Sequence, residues 1–276
     1  MDERPSLCDV HFHLQDPRFQ DASAIVAGAI RSGIVRLGVV GTQESDWQEV
    51  LDFSTRFPEV VPNIGLHPWY VANRSTDWLH RLEDMLTSDP HAGLGECGLD
   101  KTRKGSEVPM EEQAEVMTQQ LQLGKHLERP ITVHCVKAFQ ELMGVLQGQA
   151  PYPKGLILHS WMGPADLVPK LAAIEGVHFS ISGHTSRIAA RKTGPMLNRI
   201  PLDRLLLETD SPDALPHVDG NSVTPLHPVP GDDSGRLNHP ANVRVVLEWV
   251  AKAMGKPVAE VATATLRNSN RLFPCR

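Results

Sequence analysis

The sequence lacks a long hydrophobic run. None of its apolar stretches approaches the roughly 20 residues that span a bilayer, and the opening "MDERPSL" has no hydrophobic centre of the kind found in signal peptides. These two absences argue against a membrane-spanning protein and against a secreted precursor. We therefore predict a cytoplasmic protein without membrane partners, and a nuclear location stays open.

Cysteine is scarce as well: the chain has four, Cys8, Cys97, Cys135 and Cys275, spread over its whole length. This number and spacing do not form the framework of a disulfide-rich domain, and no CxxC pair suggests a zinc site built on thiolates. We therefore expect all four cysteines to be reduced thiols.

An excess of positive charge is also missing. Lysine and arginine together number 27, against 33 aspartates and glutamates, which gives a formal net charge of -6. The molecule as a whole therefore offers no broad attraction for nucleic acid or for an anionic membrane. A polyanionic substrate would have to be held by a local site.

What is present is the composition of a globular protein. Hydrophobic residues make up 41% and charged residues 22% of the 276 positions, and we find no internal repeat or low-complexity tract. Barrels of about 250 residues commonly fold as one unit. We therefore expect residues 1–276 to form a single domain.

Short β-rich runs alternate with stretches of helical apolar spacing along the chain. Eight runs are strand candidates: residues 7–14, 34–41, 60–68, 91–100, 130–135, 155–161, 177–182 and 204–212. The intervals between them show helix-like periodicity or end at Gly or Pro, although 190–200 is short, and a pair of helices follows at 240–255 and 258–273. Strands that alternate with helices predict an α/β fold built on a parallel sheet.

Two closures of such a sheet fit this pattern: a TIM-like (β/α)8 barrel and an open doubly wound sheet. An open nucleotide-binding sheet usually carries a glycine-rich fingerprint after its first strand, and here the first strand ends in "HFHLQD". The sequence therefore favours the TIM-like (β/α)8 barrel. A long segment rich in Pro, Gly and Asp, from Asp213 to His239, follows the eighth strand and is predicted to cover the barrel mouth and help to select the substrate.

Residues of metal-ligand type stand at the ends of six predicted strands. They are His11, His13, His67, Glu96, Asp100, His134, His159 and Asp210. In the first strand, His11 and His13 share one face because successive side chains of a strand point to opposite sides. The strand ends of a barrel all meet at its C-terminal mouth, where active sites are found. The pattern therefore predicts a metal site at that mouth.

The chemistry of these ligands indicates the reaction class. Imidazole suits Zn, Mn, Co or Fe, and a carboxylate can bridge two cations and reduce their mutual repulsion. Glu96 is the natural bridge in this set. A pair of cations lowers the pKa of a shared water and stabilises both oxygens of an in-line displacement. The predicted reaction is therefore hydrolysis.

Short motifs carry these residues and their neighbours: "DVHFHL", "GLHPW", "GLGECGLD", "PITVHC", "LHSWMG", "LLETDSP", the "NHP" at 238–240 and "NSNRLF". Together they resemble the motifs of the TatD family of metal-dependent hydrolases, a branch of the amidohydrolase-like barrels. The resemblance implies a divalent-metal-dependent phosphodiesterase or deoxyribonuclease, often a 3′ to 5′ exonuclease. Its partner would be nucleic acid or another phosphodiester substrate, with no obligate protein partner.

The resemblance also implies two sets of metal ligands, one for each of two divalent ions (Mg, Mn or Zn). The first set is His11, His13, Glu96 and Asp210, and the second is Glu96, His134 and His159. His67 is implied to face the substrate phosphate. We predict that Asp210 holds the nucleophilic water and acts as general base, that Glu96 bridges the ions and that His67 steadies the phosphate.

The chain departs from the family pattern outside the ligand positions. Lys101 replaces an aromatic residue after "GLD", and "HCV", "HSWMG" and "NHP" stand where the family usually has "HSR", "HCFSG" and "NEP". These changes leave the metal chemistry in place and bear on the substrate. Lys101, His184 and Arg187 are predicted to contact the substrate together with His67.

Residues beside the ligands carry weaker signals. Cys97 and Cys135 directly follow two predicted ligands, so strand alternation directs them outward to the helices, where a cysteine behaves as a small apolar side chain. Asp9 and Glu208 share the inward face but lie deeper in the barrel. They either orient ligand histidines or are buried with backbone partners.

Two other functions stay open at this point. The first is hydrolysis of an ester or amide, such as deacylation of misacylated tRNA or cleavage of a lactone, for which the same activated water would serve. The second is a catalytically idle, metal-stabilised scaffold that binds a partner through the long loop. The intact ligand set weighs against the scaffold.

Overall fold

The structure is a computed structural model that describes residues 5–218, 221–222 and 227–273, with the backbone alone at 218, 221 and 222. Eight parallel strands form one sheet in the order β1 to β8. They are β1 (Leu7–Phe12), β2 (Ile34–Val40), β3 (Val60–Ile64), β4 (Gly93–Asp100), β5 (Ile131–Val136), β6 (Leu156–Leu158), β7 (Val177–Ile181) and β8 (Leu205–Leu207). The predicted TIM-like (β/α)8 barrel is confirmed.

Helices follow the strands and cover the outside of the sheet. Those of the described residues are α1 (Ala22–Arg31), α2 (Trp47–Arg56), α3 (Trp78–Ser88), α4 (Met110–His126), α5 (Phe139–Gln149), α6 (Val168–Ala172), α7 (Gly183–Ser186), α8 (Ala190–Leu197), α9 (Val243–Met254) and α10 (Val258–Leu272). Helix α6 is shorter than the predicted interval, because turns occupy the first part of that interval. The helix begins just before Pro169, so the proline lies in its first turn, where a missing N–H costs nothing. In the long loop, β9 (His217–Val218) and β10 (Asn221–Ser222) pair antiparallel.

The core lies between the sheet and the helices. Strands β1, β4 and β7 are buried at every position, as expected for a parallel sheet with both faces covered. Helix α2 turns Trp47, Val50 and Leu51 inward at the spacing of one helical face. The ends of the helices follow local rules: the Asp21 carboxylate accepts the Ala24 N–H at the start of α1, and Gly255 ends α9 in the left-handed conformation.

The seam between β8 and β1 is formed partly by a side chain. The Asp9 carboxylate accepts the Thr209 N–H at 2.9 Å and the Thr209 hydroxyl at 2.5 Å. Beyond it, the Asp210 N–H donates to the His11 carbonyl at 3.0 Å. Asp9 is therefore buried with a backbone partner, the second of its two predicted alternatives, and burial raises its pKa well above the usual range. This seam places the ends of β1 and β8 side by side.

Two predictions stay predictions at the level of the fold. Within the described ranges no helix is both long enough and apolar enough to cross a membrane, and the location of the protein is untested. That residues 1–276 form a single domain is likewise untested, and Cys275 lies outside the described residues.

Candidate active site

Glu96, on β4, lies buried at the centre of the barrel mouth. Its two carboxylate oxygens face different groups of histidines. Oε2 lies 3.5 Å from His11 Nε2 and 3.9 Å from His13 Nε2. Oε1 lies 2.9 Å from both His134 Nδ1 and His159 Nε2. Glu96 therefore connects the two predicted ligand sets through separate oxygens.

The first ligand group comes from the ends of β1 and β8. The rings of His11 and His13 meet edge to face, with centroids 5.0 Å apart. Asp210 Oδ1 lies 3.8 Å from His11 Nε2 and 3.5 Å from His13 Nε2. His13 Nδ1 donates to the Val40 carbonyl at 2.8 Å, which turns its Nε2 toward this group.

The second predicted ligand group comes from the ends of β5 and β6, and His67, in the turn after β3, lies beside it. His134 Nδ1 and His159 Nε2 lie 3.1 Å apart. His67 Nε2 lies 3.5 Å from Glu96 Oε1. His67 Nδ1 accepts the Trp69 N–H at 3.1 Å, so a neutral His67 ring carries its proton on Nε2, the nitrogen that faces the site.

Asp100 orients one of these histidines. Its Oδ2 accepts a hydrogen bond from His134 Nε2 at 3.2 Å and from the indole of Trp69 at 2.7 Å. Its Oδ1 accepts the Thr102 N–H at 2.5 Å. Because His134 donates through Nε2, its Nδ1 is left with a lone pair directed at the centre of the mouth.

Glu208 holds a second histidine in the same way. Its Oε1 accepts the Ser160 N–H at 2.7 Å and His159 Nδ1 at 3.3 Å. The fully buried Oε2 has no hydrogen-bond partner among the described residues. Glu208 thus combines both predicted alternatives: it orients a histidine and is buried with a backbone partner.

The residues present fit a centre of divalent cations. His11 is fully buried, yet neither of its ring nitrogens has a hydrogen-bond partner within the described part of the chain. Three sets of residues each bring their ligand atoms within 4.8 Å of one another: His11, His13 and Asp210; His67, Glu96 and His134; and His11, His159 and Glu208. Imidazole and carboxylate donors are those that first-row divalent cations prefer. The unpartnered nitrogens therefore have the chemistry that a metal would complete.

Electrostatics keep Glu96 and Asp210 ionised. Burial alone would raise the pKa of Glu96, but the charge of His159 and the hydrogen bond with His134 help to outweigh it, and that pKa lies well below the usual range. For Asp210, burial is likewise outweighed, chiefly by the hydrogen bond with His13, and its pKa falls below the usual range. The anionic form of each carboxylate is the form that binds a cation.

A cavity of about 890 Å³ opens above this cluster. His184 and Arg187 line it, and His184 Nε2 lies 3.6 Å from Asp210 Oδ2. Lys101 has a different partner: its Nζ forms an ion pair with Glu141 Oε1 of α5 at 2.6 Å, and it is not among the described residues that line the cavity. The predicted substrate contact of Lys101 therefore gains no support from its position.

The long loop borders the mouth with its two ends. The loop residues that line the cavity are Asp213, Ala214, Leu215 and Arg236. Arg18, in the loop after β1, donates to both oxygens of Asp213 at 2.9 and 2.7 Å. In between, His227 Nε2 lies 3.0 Å from the Ser32 hydroxyl at the end of α1. The prediction that this loop covers the mouth falls partly outside the described residues.

The two cysteines beside the ligands differ from each other. Cys97 is fully buried in the core, where its Sγ lies 3.7 Å from the Thr132 carbonyl, and burial raises the pKa of its thiol. Cys135 packs partly against the same core but also borders the cavity, and burial raises its pKa to about 12. Neither belongs to the three sets of ligand atoms found among the described residues.

Sequence reasoning left Asp100 without a role and did not single out Trp69. Asp100 follows Glu96 by four residues on β4, so alternation alone places both on one face, and that spacing could have assigned it. Trp69 lies in a 3-10 turn, where no alternation rule applies. Its hydrogen bond to Asp100 could only be seen in the fold.

A barrel mouth at which histidines and carboxylates converge is the arrangement expected of a metal-dependent hydrolase. A family model described as "TatD related DNase" matches residues 8–274, so the chain belongs to the TatD-related DNase family, as its motifs predicted.

Individual relatives share the whole length of the chain. The Erwinia amylovora protein named "3'-5' ssDNA/RNA exonuclease TatD" is 30% identical over 272 residues, which cover 96% of this chain and 98% of that protein. The Bacillus subtilis protein named "Uncharacterized metal-dependent hydrolase YabD" is 26% identical and covers 97% and 98%. The crystal structure of YJJV, a TatD homologue from Escherichia coli, superposes with a TM-score of 0.82 at 25% identity and covers 97% of each chain.

Proposed function

We propose that this chain is a divalent-metal-dependent phosphodiesterase that removes nucleotides from the 3′ end of single-stranded DNA or RNA. The observation that carries the proposal is the position of Glu96, whose two oxygens face separate histidine groups. Family membership supports hydrolysis, and the name of the Erwinia amylovora relative supports the substrate and the direction.

In this proposal the mouth holds two divalent cations, Mg, Mn or Zn. Their ligands would be His11, His13 and Asp210 on one side of Glu96, and His134 and His159 on the other. When bound, such cations lower the pKa of an attacking water and stabilise the oxygens of a displacement at phosphorus. The side chains of the mouth orient the reacting groups and move the proton.

Asp210 is the proton acceptor. Its Oδ1 faces His11 and His13, whereas its Oδ2 lies beside His184 on the cavity side. Oδ2 can therefore accept the proton of the water that attacks the phosphate. His67 is a donor to a phosphate oxygen, because the Trp69 N–H occupies its Nδ1 and leaves the Nε2 proton pointing into the site.

Binding of a nucleic acid through its sugar-phosphate backbone alone implies weak sequence preference. The chain carries a net charge of -6, and we find no base-reading motif in its sequence, so binding depends on phosphates near the mouth. A barrel mouth admits a chain end more readily than the interior of a duplex. Single strands and frayed ends should be cut faster than blunt duplex, and strong site-specific cleavage within a duplex would contradict the proposal.

The test is a panel of substrates, each assayed with Mg, Mn and Zn: single- and double-stranded DNA, RNA, aminoacyl-tRNA and bis-p-nitrophenyl phosphate. With a 5′-labelled single strand we expect a ladder of products that shorten from the 3′ end. Release of amino acid without phosphodiester cleavage would replace the proposal with the ester hydrolase. Bound metal without any turnover would replace it with the idle scaffold.

A further inference from the structure

The two sides of the mouth carry different chemistry. In the strand order β1 to β8, β3 and β7 are four strands apart in either direction, so the loops that follow them lie on opposite sides of the barrel. The same holds for β4 and β8. The loops after β3 and β4 and the loops after β7 and β8 therefore face each other across the cavity and across Glu96.

The loops after β3 and β4 present two aromatic rings to the cavity, and Lys104, which does not itself line the cavity, lies against those rings. Trp69 and Tyr70 line the cavity and are half-buried. The ammonium group of Lys104 lies over both rings, 4.2 Å from the centroid of Trp69 and 5.2 Å from that of Tyr70. Ring faces hold this cation by attraction to the π-electrons and leave its charge uncancelled. Lys101 of the same loop, by contrast, is matched by Glu141.

The side formed by the loops after β7 and β8 carries two exposed arginines, Arg187 and Arg236. Arg187 donates to the Leu215 carbonyl at 3.1 Å, and neither arginine has a carboxylate partner among the residues the structure describes. Arg18 borders the same side but is matched by two carboxylates. Arg187 and Arg236 are therefore the guanidinium groups available to phosphates there.

From this polarity we infer the path of the substrate, an inference that rests on the proposed function. The body of a single strand lies over Arg187 and Arg236, and the 3′-terminal nucleotide lies on the side of Trp69, Tyr70 and Lys104. The body brings a row of phosphates, which match guanidinium groups. The terminal nucleotide brings one base, which stacks on an aromatic ring beside Lys104, and its only phosphate, which is the scissile phosphate. The scissile phosphate lies between them, at Glu96.

Two substrates of different length separate the two sides. A dinucleotide without terminal phosphates carries only the scissile phosphate and brings none to Arg187 or Arg236, whereas a single strand of about 20 nucleotides brings a row of phosphates to that side. Arg236→Gln should lower kcat/KM for the long strand relative to the dinucleotide by about 3- to 10-fold and reduce the salt slope for the long strand by about 1. Tyr70→Leu should raise KM for both substrates by about 10-fold and leave their ratio unchanged.

A matched control and a separate readout keep the result interpretable. Lys154 pairs with Glu128 ahead of β6, at the opposite end of the barrel. Lys154→Gln should leave kcat/KM for both substrates unchanged. The inference is overturned if Arg236→Gln affects both substrates equally while Tyr70→Leu affects only the long strand, or if neither variant changes either substrate. Failure of the wild-type, metal-loaded protein to hydrolyse bis-p-nitrophenyl phosphate would instead overturn the proposed function.

Discussion

The two ends of the barrel each contain a cavity of about 890 Å³, but different side chains line them. Side chains of both charges line the N-terminal cavity. The basic ones are Arg36, Arg129, Lys154, Arg204 and Arg271, and the acidic ones are Glu59, Glu128, Glu175 and Asp203. At the C-terminal mouth, histidines and carboxylates converge on Glu96. Every set of metal-ligand residues found within the described chain lies at that mouth.

Cavity volume therefore does not distinguish the functional end of the barrel, whereas the presence of buried ligand atoms without a hydrogen-bond partner does. At the N-terminal end, His178 Nδ1 donates to the Gly176 carbonyl at 2.8 Å, and Tyr152 donates to the Leu146 carbonyl at 3.0 Å. At the mouth, both ring nitrogens of the fully buried His11 lack a hydrogen-bond partner among the described residues.

A buried polar atom without a partner costs stability. Arg129 Nε at the N-terminal end also lacks a partner among the described residues, but a guanidinium group cannot bind a cation, whereas an imidazole nitrogen can. The unpartnered nitrogens of His11 therefore indicate a missing ligand.

The largest effect at the mouth should come from Glu96→Ala. Without this carboxylate the two proposed cation sites would lose their shared ligand and the cations would repel each other, so bound metal should fall and the hydrolysis rate should drop by about 100-fold or more. Elemental analysis measures the metal content, and bis-p-nitrophenyl phosphate measures the activity.

Cys97→Ser is the matched control, because it lies one residue away in the core. It should keep the metals and most activity, at a cost of about 1 kcal/mol in stability for a polar atom in an apolar layer. His134→Ala against Cys135→Ser is the parallel pair. If the cysteine variants lose metal and the Glu96 and His134 variants keep it, the assigned ligand set and the two-cation site built on it are wrong.

A smaller loss is expected from Asp100→Asn. The amide cannot supply the negative charge that holds His134 Nε2, so the ring is less firmly oriented and metal affinity should fall by about 10- to 100-fold. Titration of the metal-free protein with Mn or Zn measures this change. Asp203→Asn, at the N-terminal cavity, should leave the affinity unchanged. Equal losses in both variants would show that the effect is not specific to the mouth.

The sequence predicted the barrel and the convergence of the ligand residues because both follow from simple rules. Alternation places His11 and His13 on one face, and parallel strands of a closed sheet bring their C-terminal ends together. Glu96, His134 and Asp210 therefore meet whatever the lengths of the helices between them. The roles assigned to these residues stay predictions until variants are measured.

Side chains in loops could not be placed by such rules. Lys101 and Lys104 belong to one short basic run, yet Lys101 pairs with Glu141 of α5 and Lys104 lies over Trp69 and Tyr70. Once the chain leaves the strand, side-chain direction depends on each residue's backbone angles and on partners far along the chain. The spacing of residues in the sequence gives no information about either the backbone angles or the distant partners.

A still smaller effect is expected where the long loop joins the mouth. Asp213→Asn removes one of the two carboxylate charges that Arg18 pairs with, and an exposed pair of this kind contributes about 1 kcal/mol or less. Relative rates on single-stranded DNA and RNA should change by up to about 5-fold with unchanged metal content. Glu128→Gln, which breaks the Lys154 pair at the other end, should not change them. Identical substrate profiles in both variants would mean that this ion pair has no part in substrate choice.

Shortening the loop between Asp213 and His239 should likewise change the relative rates on different substrates while the metal content stays constant.

The smallest functional effect is expected at the N-terminal cavity itself. Tyr152 lines it, and its hydroxyl, buried against the start of β6, donates to the Leu146 carbonyl of α5. Tyr152→Phe leaves that carbonyl without this donor, which should cost about 1 kcal/mol of unfolding free energy and a few degrees in Tm. Metal content and hydrolysis of bis-p-nitrophenyl phosphate should equal those of the wild type, because the Tyr152 hydroxyl bonds to the Leu146 carbonyl and, among the described residues, to no predicted metal ligand. Thermal unfolding measured beside both assays checks this. A fall in bound metal at unchanged Tm would mean that the two ends of the barrel are coupled, and the N-terminal cavity would then have to be counted as part of the functional machinery.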